Sequence, residues 1–208
     1  MMQLSTSQIE ALDEAETLMV CCDFCPYLDL KALLHDRSEK ACRKFKQLFT
    51  GYYGLNVGGL TSDFKDRYFQ ILFDPPLVEP TATPDVASIL EELSELPRRK
   101  GDKALPFSFV SKLANIHSDT SPIFDKHVLA FRSGKRPSRD LSKAERIGVF
   151  LDLLKTMATD YTAWAALPEV AGILRRLKER DRRLTDCSEI RLLDFLVWKA
   201  GKVATMNR

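Results

Sequence analysis

The chain has 208 residues, 45% of them hydrophobic and 29% charged, with a formal net charge of +2 at neutral pH. Such a composition is that of a soluble globular protein with material for a core. It excludes a membrane-spanning helix, because no apolar run approaches the roughly 20 residues a bilayer requires. The small net charge hides an asymmetry: residues 1–96 carry 8 basic and 16 acidic side chains, residues 97–131 carry 6 and 3, and residues 132–208 carry 17 and 10.

In chain order, nearly every periodic segment reads as helix. Ser7 and Glu10 form a capping-box pair ahead of Ile9, Leu12, Ala15 and Leu18. Leu30, Leu34, Ala41, Phe45, Leu48 and Phe49 trace one apolar stripe from about residue 28 to 50, and the glycines between Gly51 and Gly59 end it. Phe64, Tyr68, Ile71 and Leu72 follow at helical spacing. The four prolines between Asp74 and Pro84 cannot propagate a helix and favour an extended path. The expected organisation is therefore an N-terminal helical lobe over 1–74, a Pro-rich connection over 75–84 and a C-terminal helical lobe over 85–208, with one compact domain overall as the alternative.

Thr83-Pro84-Asp85 opens a helix running to about Leu96, and residues 98–103 form a polar connection. Two short helices follow, over 108–116 and from Ser121-Pro122 onward. Ser121 suits the N-cap and Pro122 the first helical position, which puts Asp125 in the first turn, where the helix dipole favours its charged form. Ser142 with Glu145 caps a long helix bearing Ile147, Phe150, Leu151, Leu154 and Met157. Leu167-Pro168 opens the next, and Asp186 with Glu189 caps a last helix that is apolar on most sides and central to the core. No alternating strand pattern or internal repeat is present, so the fold class is all-α.

The five cysteines (Cys21, Cys22, Cys25, Cys42 and Cys187) are odd in number and unevenly spaced. That suits reduced thiols in a cytoplasm, and the N-terminus has neither the basic nor the apolar region of a secretory signal. Cys22-x-x-Cys25 lacks the second pair or nearby histidine that a zinc site needs, so no metal is expected. The glycine pairs are not followed by the Gly-Lys-Ser/Thr of a phosphate-binding loop, and no cofactor motif occurs.

Asp125-Lys126-His127-Val128 resembles the segment that bears the catalytic aspartate in the helix-hairpin-helix DNA glycosylase superfamily. The terminal stretch Asp186–Lys202, with Trp198 and Gly201-Lys202 near its end, is similar to the last helix of that superfamily's archaeal 8-oxoguanine branch. The resemblance covers roughly residues 100–202. It implies a two-lobed helical fold with a cleft that receives a flipped base, and a catalytic role for Asp125. The chain departs from the pattern at the hairpin. Leu105-Pro106 is present without the accompanying glycines, and the position of the lyase lysine falls on Phe107. Lys112 is the amine closer to the acid, as a nucleophile or as a salt-bridge partner of Asp125. What the resemblance implies is an acid-only glycosylase or a DNA-binding relative without catalysis.

Arg132, Lys135, Arg136 and Arg139 lie in a Gly/Pro/Ser-rich loop directly after the Asp125 helix, and are the candidate phosphate contacts for DNA. The basic run over 175–183 contains Glu179 and Asp181, which suits ion pairs along a helix. The competing expectation is a non-enzymatic helical interaction module, in which acidic and basic helices meet each other or a protein partner.

Overall fold

The computed structural model describes residues 2–56, 59–78, 83–97, 99 and 104–206. These are overwhelmingly helical: α1 (Thr6–Leu18), α2 (Cys21–Leu34), α3 (Glu39–Tyr52), α4 (Ser62–Phe73), α5 (Val86–Ser94), α6 (Phe107–His117), α7 (Lys126–Phe131), α8 (Lys143–Ala165), α9 (Pro168–Arg180) and α10 (Glu189–Met206), with a 3-10 turn at Arg182–Leu184. The single sheet among the described residues is a two-residue hairpin, β1 (Leu77–Val78) antiparallel to β2 (Thr83–Pro84). No described helix is long and apolar enough to cross a membrane.

The chain divides into two compact units. Met1–Val20 joins Asp119–Arg208 in one, and Cys21–Ser118 forms the other. This corrects the division expected at the prolines. Leu77 pairs with Pro84, Val78 pairs with Thr83, and the Asp85 amide donates to the Pro76 carbonyl at 2.7 Å. The prolines do stop a helix, but the segment returns on itself and delivers Asp85 as the N-cap of α5 instead of running out as a linker. Of the polar connection expected over 98–103, only Arg99 lies among the described residues.

The unit formed by Cys21–Ser118 has an aromatic core. Phe45 and Phe49 are fully buried on one face of α3, with ring centroids 5.6 Å apart, and Phe49 meets Phe69 of α4 at 5.8 Å. Each such ring, fully buried, contributes about 1.5–3 kcal/mol. The Tyr68 hydroxyl donates to the Phe109 carbonyl of α6 at 2.8 Å, and burial pushes its pKa well above the ordinary tyrosine value. The apolar stripe read over 28–50 is two helices. Asp36 accepts from the Ser38 amide at 2.9 Å and Ser38 caps α3, so local side-chain bonds to the backbone break the helix between Leu34 and Glu39.

Cys21 and Cys25 are joined by a disulfide, while Cys22, Cys42 and Cys187 are free thiols. The expectation of five reduced cysteines is thereby corrected. Residues four apart on a helix share a face, and an odd count leaves room for one bridge. Among the described residues no group of three or more His, Cys, Asp or Glu side chains is arranged to hold a metal ion.

In the other unit α10 is the central helix, with Leu192, Leu193, Leu196 and Val197 fully buried. The Ser142–Glu145 capping box of α8 and the Leu167-Pro168 start of α9 form where the sequence places them. Two caps differ from expectation. Ser5 and Gln8, not Ser7 and Glu10, make the box of α1, and Ser188, not Asp186, receives the Arg191 amide at the start of α10. The acidic α1 meets the basic α9: Arg176 pairs with Asp13 and Glu16, and Arg180 reaches Glu16 at 3.0 Å.

Candidate functional site

Asp125 is the N-cap of α7 itself rather than a first-turn residue, because the helix begins at Lys126, four residues beyond Pro122. The Ser121-Pro122 start fails for a tertiary reason. Arg191 of α10 donates to the Ser121 carbonyl at 3.1 Å, and Asp194 of α10 accepts from the Ile123 amide at 3.2 Å. Both backbone groups are thus spent on α10, and the segment stays non-helical until Asp125 can cap.

The Asp125 carboxylate is held on both oxygens. Oδ1 accepts from the His127 and Val128 amides at 2.8 and 3.0 Å, and Oδ2 accepts from the Trp198 indole Nε1 at 3.0 Å. The His127 ring turns away from the acid, as the two-residue spacing requires. Its Nδ1 lies 3.0 Å from Thr205 Oγ1, and its ring stands edge-on to Trp198 at 5.8 Å. Partial burial lowers the His127 pKa, against the opposing pull of Asp125 and with the help of Lys126 and Lys202. The Lys202 ammonium sits 4.8 Å over the Trp198 ring. Asp125, His127, Trp198, Lys202 and Thr205 therefore make one half-exposed constellation at the junction of α7 and α10.

Behind it lies a second layer that the sequence reading missed. Asp194 is buried and accepts from Arg191 Nη1 at 2.7 Å, while Arg191 is itself fully buried. Burial pushes the Asp194 pKa up to about 6, only partly offset by Arg191, and the nearby charge of Asp125 adds to the rise. The Tyr161 hydroxyl is buried, and burial together with the Asp194 charge raises its pKa well above the ordinary value. An arginine and an acid three residues apart inside an otherwise apolar helix are the sequence sign of this layer.

The remaining candidates separate. Arg132, read as the first cation of the loop, is the C-cap of α7 and is only 8% exposed. Its Nη2 donates to Asp160 Oδ2 at 2.6 Å and its guanidinium lies 5.0 Å over Trp164. That corrects its assignment as a phosphate contact: a cation locked to a fully buried acid is part of the core. Asp160 also accepts from the Met2 amide at 2.7 Å, and Trp164 Nε1 donates to the Met2 carbonyl at 2.7 Å. Lys135, Arg136 and Arg139 are exposed, on a loop pinned by buried Pro137 and ended by the Ser142 cap.

Lys112 belongs to α6 in the Cys21–Ser118 unit. Its ammonium donates to the Tyr53 carbonyl at 3.2 Å and lies 5.5 Å over the Phe109 ring. A surface groove of about 530 Å³ lies along α9 and is lined by Leu174, Arg175, Lys178, Thr185 and Glu189, with no member of the Asp125 constellation among its walls. Comparisons with protein-family models, with curated proteins and with solved structures returned no match.

Proposed function

We propose that the chain is a DNA-binding protein whose contact surface is the loop after α7, with Lys135, Arg136 and Arg139 on backbone phosphates. The observation that carries this reading is the contrast between two sets of cations in one unit. Arg176 and Arg180 are already neutralised by Asp13 and Glu16. Among the described residues no acid pairs with Lys135, Arg136 or Arg139, and all three are exposed on a loop fixed at both ends. Unpaired cations held in place release phosphate counterions at little ordering cost.

Within this reading Asp125 is the group a base-excision step would use, to stabilise an oxocarbenium-like sugar or to activate water. Lys112 is given no part, since its amine is engaged by Tyr53 within its own unit.

The test is fluorescence anisotropy of labelled duplexes, undamaged or carrying 8-oxoguanine, uracil or an alkylated base, across a salt series. Three phosphate contacts give a log–log salt slope of about −3. Charge reversal at Lys135, Arg136 and Arg139 should remove that slope and the binding with it. Base release lost in Asp125→Asn would extend the reading to a glycosylase, and binding without release would confine it to recognition. No binding at any salt would overturn it in favour of a protein-interaction module.

A further inference from the structure

The head of α2 carries three cysteines within five residues. Cys21 and Cys22 are exposed, and Cys25 is half-buried. Cys25 follows Cys21 by four positions and Cys22 by three, the two spacings at which helix side chains are neighbours. It is bonded to Cys21, with a Cα–Cα distance of 5.5 Å, while Cys22 stands beside the bond as a free thiol. The bridge joins residues four apart in one helix and ties no distant elements together. A crosslink that short restrains the unfolded chain far less than a long-range one. The helix is held instead by Phe24, Tyr27, Leu30 and Leu34, all buried. The bond is therefore poorly suited to be a staple, and it lies where small molecules reach it.

We propose that Cys21, Cys22 and Cys25 form a thiol–disulfide exchange site for low-molecular-weight disulfides and thiols of the glutathione type, with Cys25 the common partner of the other two. In the oxidising direction the Cys21 thiolate attacks one sulfur of the small disulfide and expels one small thiolate. The Cys25 thiolate then attacks Cys21 Sγ and expels the second. Two protons from the protein thiols end on the two released small thiols, so one disulfide is reduced as one is formed. Attack of the Cys22 thiolate on Cys25 Sγ moves the bond to Cys22–Cys25 and frees Cys21, with no net change in oxidation state.

The experiment equilibrates the full chain with mixtures of glutathione and glutathione disulfide, quenches in acid, alkylates, and maps free thiols by peptide mass spectrometry. A Cys42→Ser, Cys187→Ser background removes the two remote thiols. The expected result is paired loss of alkylation at Cys25 and one of Cys21 or Cys22, reversed by excess glutathione, with unchanged far-ultraviolet circular dichroism. Cys21→Ser should form the Cys22–Cys25 bond, and Cys25→Ser should trap a glutathione adduct on Cys21 or Cys22. Three thiols that stay alkylatable in the oxidised mixture would overturn the proposal, as would no bond in Cys21→Ser. Loss of helicity on reduction would also overturn it, by making the bridge a structural staple.

Discussion

The indole of Trp198 donates to Oδ2 of Asp125 at 3.0 Å, while Oδ1 of the same carboxylate caps α7 through two backbone amides. One side chain thereby starts a helix and fastens it to α10. Asp125→Ala removes the cap, worth about 0.5–2 kcal/mol, and deprives the indole of its acceptor, worth about 1 kcal/mol more at a half-exposed site. Urea unfolding should show a loss of about 1.5–3 kcal/mol in Asp125→Ala and a smaller one in Asp125→Asn, whose amide oxygen still caps. Equal stability of the alanine variant and the wild type would show that neither bond matters. It follows that Asp125→Asn, not the alanine variant, is the one to carry into activity assays.

Gly201 is where α10 lets α7 approach. A Cβ added there would lie 1.9 Å from the His127 carbonyl oxygen and 2.7 Å from its carbon, so backbone must move. Alanine gains about 1 kcal/mol of helix propensity, but overpacking against backbone costs about 1–3 kcal/mol or more. Gly201→Ala should therefore be destabilised by about 2 kcal/mol and lose the His127–Trp198 contact. Gly148, exposed on α8 with nothing within 4 Å of its virtual Cβ, supplies the control. Gly148→Ala should be stabilised by about 0.5–1 kcal/mol in the same denaturation series.

What the sequence shows well is what neighbouring residues decide. Ser142 with Glu145 and Leu167-Pro168 set their helix starts because the groups they satisfy lie within one turn. Ser121-Pro122 has the same local form and fails, because Arg191, 70 positions away, takes the Ser121 carbonyl. Arg132 is misread for the same reason: a cation just past a helix looks like a loop residue until Asp160 is brought beside it. The two units are equally hidden, since residues 1–20 and 119–208 belong together through contacts between distant positions, of α1 with α9 and α10 and of Met2 with Asp160 and Trp164. The hydrogen bond from Trp198 to Asp125 and the close approach of Gly201 to the His127 carbonyl are likewise properties of the packed helices.

The Arg132–Asp160 pair is buried on both sides, and Arg132 Nη1 has no hydrogen-bond partner. Removing one member leaves the other charged and dry, which costs about 3–5 kcal/mol. Arg132→Ala should thus unfold at much lower urea, whereas Lys135→Ala or Arg136→Ala should shift stability by less than about 0.5 kcal/mol. Replacing both members with leucine-sized apolar residues should recover most of the loss. If Arg132→Ala were as stable as the loop variants, the buried pair would contribute nothing. DNA-binding data on Arg132 variants therefore report on folding, and only the three exposed cations report on contact.

Asp194 gives the fold a pH dependence of unusual sign for an acid. Its folded pKa is raised by burial to about 6, above the value near 3.9 that an unfolded chain gives it. The folded state then holds the proton more tightly, so this residue's stabilising contribution is fully present below about pH 4. It is lost as pH rises to about 6, by an amount on the order of 3 kcal/mol. Acids whose pKa values are lowered by hydrogen bonds from neighbouring residues, Asp36 and Asp85 among them, act in the opposite direction, so the raw profile of the wild type mixes both. The difference between wild type and Asp194→Asn isolates the single group. Asparagine keeps the acceptor for the Ile123 amide but cannot ionise. Urea midpoints measured from pH 4 to pH 7 should show the wild type losing stability relative to Asp194→Asn as pH rises. A relative gain over that range would mean that Arg191, 2.7 Å from the carboxylate, outweighs desolvation and keeps Asp194 ionised throughout.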